Sequence, residues 1–186
     1  MTQYARPDGT TIADSIWVNE QSNQTNLHLS VDEAAGTSGQ DDDKIQSDSD
    51  GMTTPDWIKF TLSDIDDPES AADHKVVYRA VGAGMGSAPS LIWSLREGST
   101  ERAGDTNSSL NNSNMWESIS VHTHTLSSGE ANAITDYSDL QIWFKRAGGE
   151  MGDGVTITQV WFECPDASEE EEEAATTSPA FLLFME

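Results

Sequence analysis

Short runs in which apolar and polar residues alternate recur along the whole 186-residue chain, and no long stretch carries a helical period. NLHLSV (26–31), WIKFTL (57–62), HKVVYRAV (74–81), SLIWSLR (90–96), ESISVHTHTL (117–126), LQIWFKR (140–146) and VTITQVWFE (155–163) each read as a strand with one face toward a core, and SIWVN (15–19) reads as an eighth. Gly, Asp, Asn, Ser and Pro gather between these runs, where turns need them. A single segment, SSGEANAI (127–134), suits about two turns of helix between two strands. Seven or eight strands joined by loops of this length predict an all-β fold, an antiparallel β-sandwich of jelly-roll type over residues 1–165. Trp57, Tyr78, Trp93, Trp143, Trp161 and Phe162 fall inside strand runs. They are expected to fill the space between the sheets, since one aromatic buries roughly 150–250 Å². An aromatic platform exposed for sugar binding is the sharper alternative.

The character of the chain changes at Pro165. Residues 166–178 form an acidic linker with five consecutive glutamates, and 179–186, PAFLLFME, form an apolar terminal peptide. Like charges extend a linker, and 13 residues reach roughly 40 Å at most. Phe181, Leu182, Leu183 and Phe184 therefore read as a protein–protein anchor that adds to a neighbour's sheet edge or fills an apolar groove. Folding of this tail back onto its own body is the competing expectation.

Charge limits the partners. Acidic residues number 33 and basic residues 9, for a net charge of −24. Without the six glutamates of the tail the body still carries about −18, so the excess is spread along the chain. Affinity for nucleic acid comes mainly from lysines and arginines that release counterions, so no nucleic-acid partner is expected. In molar salt the screening length falls to about 3 Å and the self-repulsion largely vanishes, which makes this the composition of a salt-adapted, halophilic or marine protein. MTQYARPDGT lacks the apolar core of an export signal, and no apolar run approaches the roughly 20 residues of a spanning helix. Synthesis in the cytoplasm and no membrane partner are the expectations. Cys164 is the single cysteine, which leaves no intramolecular disulfide and no zinc framework.

Local spacing offers little chemistry. His122 and His124 point to one face of a strand, as two metal ligands do, but Ile119 and Val121 on the other face are expected to take the core side and leave the histidines in solvent. The run QSDSDG (46–51) fails the calcium-loop pattern, because Gln46 holds the first ligand place and Trp57 stands where a glutamate belongs. An irregular Ca or Mg site among Asp41, Asp42, Asp43, Asp48 and Asp50 is a weaker candidate. GAGMG (82–86) follows a strand but leads into APS rather than a helix, so it reads as a connection. With no G-x-S-x-G and no H-E-x-x-H, the chain reads as no enzyme and no cofactor is expected. Sequons at Asn23, Asn107 and Asn111 all fall in predicted loops.

The order of several blocks resembles a family of small β-sandwich virion structural proteins of tailed phages and haloarchaeal tailed viruses. The blocks are RPDG (6–9), SIW (15–17), KIQSD (44–48), TLSDIDDP (61–68), HKVVYRA (74–80), SLREGST (94–100) and TLSSGEANAITDYSDLQIWF (125–144). The likeness covers residues 4 to about 163, and the last block is the most specific. Enlarged Asp-rich and Asn-rich loops and the tail beyond Pro165 depart from the pattern. The resemblance implies a surface, decoration or accessory subunit of a virion, made in the host cytoplasm and attached to major capsid or tail subunits. A homo-oligomer is expected. A module that binds host-surface glycans is the alternative, with Trp116, between NNSNM and the next strand, as the candidate contact. A depolymerase is a third and weaker reading, since no carboxylate pair stands out by spacing.

Overall fold

The computed structural model describes residues 1–12, 17–35, 43–47, 57–83, 89–108, 110, 119–148 and 154–167. Two antiparallel sheets face each other across a single core. The first sheet is ordered β3 (Trp17–Asn19), β4 (Ile45–Ser47), β11 (Gly154–Pro165), β6 (Lys75–Ala83), β9 (Ser120–Thr125), with β1 (Thr2–Ala5) also paired to β11. The second is ordered β2 (Pro7–Ile12), β5 (Ile58–Leu62), β10 (Leu140–Ala147), β7 (Ser90–Glu97), β8 (Thr100–Asn107). The chain passes from one sheet to the other at Arg6, which exchanges hydrogen bonds with Ser63: its amide donates to the Ser63 hydroxyl at 3.1 Å, and its carbonyl accepts from the Ser63 amide at 2.8 Å.

The predicted sandwich is present, with more strands than the alternation marked. β1, β2, β4 and β8 are short, polar or glycine-bearing, so they lack the period-2 pattern that betrays a half-buried strand. NLHLSV does not form a strand. Leu27–Ser30 is a 3-10 turn instead, entered through Asn26 in the left-handed region at φ 54°. Leu27 and Val31 go into the core while Leu29 stays 55% exposed, a spacing no strand could give.

Alternation is clearest in β10, where Leu140, Ile142, Phe144 and Arg146 are buried and the residues between them are not. Trp143 therefore lies on the outer face, and Trp57, just ahead of β5, packs edge-on against it. This corrects the expectation that both tryptophans fill the core. Tyr78, Trp93 and Phe162 are buried in the core as expected, whereas Trp161, also buried, alternates with the inward Val160 and Phe162 and so lies on the other face of β11. In β11 the inward set shifts from Val155 and Ile157 to Val160, Phe162 and Cys164. The irregularity in pairing between Ile157 and Gln159 inserts one residue and so reverses which face follows.

The helical segment is one turn, α1 (Ser128–Ala131), closed by a capping box: the Glu130 amide donates to the Ser127 hydroxyl, and the Ser127 amide donates to the Glu130 carboxylate. Ile134 and Tyr137 then turn into the core, and Asp136 accepts from the Ser138 amide at 3.0 Å before β10 begins. The block that carries the sequence resemblance thus builds a corner of the fold.

Candidate functional site

Along one side of the sandwich the edge strands β8 and β9 lie over Tyr78 of β6 and Trp93 of β7, and the sheets part to leave an open groove. It measures about 360 Å³ and is lined by Tyr78, Trp93, Asp105–Ser108 and Val121–His124. In β9 the half-buried residues are Ser120, His122 and His124, while Val121 is 58% exposed. The expected facing is therefore reversed, and the histidines line the groove. Leu126, buried just past the strand, has the same parity as the histidines and was the better guide to the inward face than Val121.

His122 lies against Tyr78, with ring centroids 5.2 Å apart and planes at 26°. Asn107 closes a small network: its amide nitrogen lies 3.0 Å from the Tyr78 hydroxyl and 2.9 Å from Nδ1 of His122. An amide nitrogen only donates, so Nδ1 accepts and the neutral ring carries its proton on Nε2. Burial holds the His122 pKa below the usual histidine range, although the Ala80 backbone works the other way. Burial likewise raises the Tyr78 pKa against the opposing hydrogen bond from Asn107, so the hydroxyl stays a neutral phenol. Deeper in, His124 meets Trp93 edge-on at 4.8 Å. The groove thus offers an uncharged imidazole, an amide and hydroxyls, with the exposed Asp105 carboxylate on its rim, above the buried rings of Tyr78 and Trp93. Sequence reasoning placed Asn107 in a loop. It is the last residue of β8, and its cross-strand partner Leu91 fixes it there.

A second, smaller groove of about 290 Å³ forms where the 3-10 turn packs on β2, between Arg6, Asp8, His28, Leu29, Asp32 and Ser63. His28 is pinned there by Thr10, whose hydroxyl accepts from the His28 amide at 2.7 Å and lies 3.0 Å from Nδ1.

Among the described residues no group of three His, Cys, Asp or Glu could hold a metal ion. Asp43 is exposed, and Asp41, Asp42, Asp48 and Asp50 lie outside the described residues. So do Trp116, Asn111 and the anchor Phe181, Leu182, Leu183 and Phe184. Asn23 sits in an exposed turn, where its side chain accepts from the Thr25 amide at 2.8 Å. No helix among the described residues is long and apolar enough to cross a membrane. Cys164 is buried, which pushes its thiol pKa up to about 12.

No protein-family model and no curated protein matches the chain. Among solved structures it is similar to a truncated AlyQ with CBM32 and alginate lyase domains, at 13% identity and a TM-score of 0.42. That match covers 88% of this chain and 34% of the other, so the chain spans about a third of that protein. It is also similar to the CBM32 of AlyQ in complex with 4,5-unsaturated mannuronic acid, at 14% identity and a TM-score of 0.38, covering 86% and 97%. A third similarity is to the Stig cyclase Fisc from Fischerella sp. TAU, at 13% identity and a TM-score of 0.36, covering 86% and 90%. The class of this protein, an antiparallel β-sandwich with a polar edge groove, rests on its own strand pairing.

Proposed function

We propose that this chain is a glycan-binding module whose site is the groove between β8 and β9. The observation that carries the reading is the make-up of that groove. Asp105, Thr106, Asn107, Ser108 and Thr123 bring hydrogen-bonding side chains around the half-buried His122 and His124, above Tyr78 and Trp93. A sugar presents the complementary chemistry, with hydroxyls that both donate and accept. The convergent polar groups of the cleft are of the kind that fix a small ligand's orientation. Asp105 is the carboxylate among these residues. Glycoside hydrolysis ordinarily uses a pair of them, which favours binding over cleavage.

The order of sequence blocks supports a setting for this module on the surface of a tailed-virus particle, where it contacts glycans of the host. Imaging of particles with an antibody to residues 1–165 tests that setting separately.

The groove is tested by screening the full chain against an array of neutral glycans, with Asp105→Ala and Asn107→Ala as controls. Binding that falls at least roughly tenfold in both variants, as expected when hydrogen bonds to a sugar are lost, supports the reading. Binding that is unchanged in both, or no binding to any glycan, rejects it.

A further inference from the structure

The outer face of the second sheet holds a second feature that the groove does not use. Trp143 on β10 lies between its cross-strand neighbour Lys59 on β5 and Arg96 on β7. The Lys59 Nζ is 4.0 Å from the indole centroid and the Arg96 Cζ is 4.2 Å from it. Trp57 meets Trp143 at 5.9 Å and 63°, and carries the Lys145 Nζ 4.7 Å from its own centroid. Three of the nine basic residues of a chain with net charge −24 thus share one face.

The other two lysines are neutralised, Lys44 by Glu20 at 2.8 Å and Lys75 by Glu163 at 2.5 Å. Lys59 and Lys145 pair with no carboxylate among the described residues, whereas Arg96 is ion-paired with Glu101 at 3.5 Å. An aromatic ring holds a cation in place without cancelling its charge. In a protein rich in carboxylates, leaving Lys59 and Lys145 without a carboxylate partner maintains a local positive charge on this face.

We infer that this face binds a linear anionic polysaccharide. β5, β10 and β7 are the inner three strands of five, so their backbone ladders are already paired and no edge is open to a peptide strand. What the surface offers is side-chain heads alone. Lys59 and Lys145 stand on the neighbouring strands β5 and β10, whose backbones run roughly 4.8 Å apart, so a chain lying across the strands can meet both. Nucleic acid packs its phosphates far more densely, so the acidic body opposes it more strongly than a chain with one charge on each sugar. The inference takes the glycan-binding reading to a second face and a charged ligand class, and it does not depend on the groove.

The test is titration of the full chain, near 0.15 M salt, with polygalacturonate, dextran sulfate, uncharged dextran and poly-L-glutamate. Polygalacturonate or dextran sulfate is expected to bind, and the relative affinity of the two tells carboxylate from sulfate recognition. Dextran and polyglutamate are expected not to bind. The pair Lys59→Gln and Lys145→Gln should weaken binding roughly tenfold, while Lys59→Arg with Lys145→Arg retains it. Asp105→Ala should leave it unchanged, so failure of this face and failure of the groove are distinguishable. Thermal melting of each variant checks that it is folded. Absence of binding to both charged polysaccharides overturns the inference. So does equal binding by the glutamine pair, or binding of polyglutamate as tight as that of the polysaccharides.

Discussion

Nε2 of His74 lies 2.7 Å from the hydroxyl of Tyr137, and both residues are buried. The contact ties the start of β6 to the turn that follows α1, 63 positions later in the chain. Nδ1 of the same ring lies 2.9 Å from the Ala72 carbonyl, which can only accept, so in the neutral ring Nε2 accepts from Tyr137. Tyr137→Phe keeps the ring packing against Phe162 but leaves a buried nitrogen without a partner. Such a loss costs about 1–3 kcal/mol. Urea denaturation at pH 7 measures it, and a change below roughly 0.5 kcal/mol would show that the hydrogen bond contributes no net stability.

Much of the fold was legible because six runs, those of β5, β6, β7, β9, β10 and β11, each contain a period of two that survives in the structure. What the period could not show is which face of a polar strand turns inward. In β9 the only candidates were single aliphatic residues against two histidines, and the edge of a sandwich accepts a half-buried imidazole where the centre of the core would not. Trp143 failed the opposite way. Its size suggested burial, while its place between Ile142 and Phe144 had already assigned it to the outer face. The groove was invisible because Tyr78, Asn107 and His122 belong to three different strands, and only the pairing of β6 with β9 and the facing of β8 bring them together.

Glu97 should make stability depend on acid. Its carboxylate accepts from the Thr135 amide at 2.9 Å, from the Thr135 hydroxyl at 2.6 Å and from the Arg102 Nε at 3.0 Å. Burial pushes its pKa upward, but the Thr135 donors and the Arg102 charge outweigh that and lower it from 4.5 to about 2. A carboxylate with a depressed folded pKa adds stability above its unfolded pKa and loses it as pH falls through the folded one. The contribution is therefore complete above about pH 4.5 and lost toward pH 2. Allowing for screening by nearby water, it amounts to about 1–2 kcal/mol. Glu97→Gln should be less stable than the parent at pH 6, and the gap should close as pH falls toward 2 in parallel denaturation series. A gap that is constant with pH would show that the carboxylate charge is irrelevant.

Gly98 sits in the hairpin between β7 and β8 at φ 54°, and its amide donates to the Asp139 carbonyl at 3.0 Å. A Cβ added there would lie 2.7 Å from Oδ2 of Asp139, so alanine meets both the left-handed backbone penalty and a carboxylate. Gly98→Ala should cost about 1–2 kcal/mol, with the strain of the left-handed region as the larger part. Pairing it with Asp139→Ala separates the two effects. If the clash contributes, the double variant recovers part of the loss. If Gly98→Ala alone leaves the melting temperature unchanged, the hairpin does not require glycine.

Salt should stabilise this protein over a wide range. With 33 acidic residues against 9 basic ones, the folded chain holds more like charge close together than the unfolded chain does. The ion pairs among the described residues oppose this only locally: Lys44 with Glu20, Lys75 with Glu163, Arg96 with Glu101, Arg102 with Glu97, and the N-terminus with Asp166. Raising ionic strength from 0.01 M to 1 M shortens the screening length from about 30 Å to about 3 Å, which removes the long-range repulsion before it touches pairs in contact. The Arg102–Glu97 pair is largely shielded from solvent and is screened least. Melting temperature in sodium chloride should therefore climb by several degrees or more across this range, and the climb should be steepest below about 0.1 M, where the screening length exceeds the roughly 10 Å between facing sheets. Potassium chloride should act equally, because screening depends on ionic strength and not on the cation. A flat response would mean that the carboxylates are spaced widely enough for water alone to separate them, and a response to one cation only would point to specific binding in place of screening.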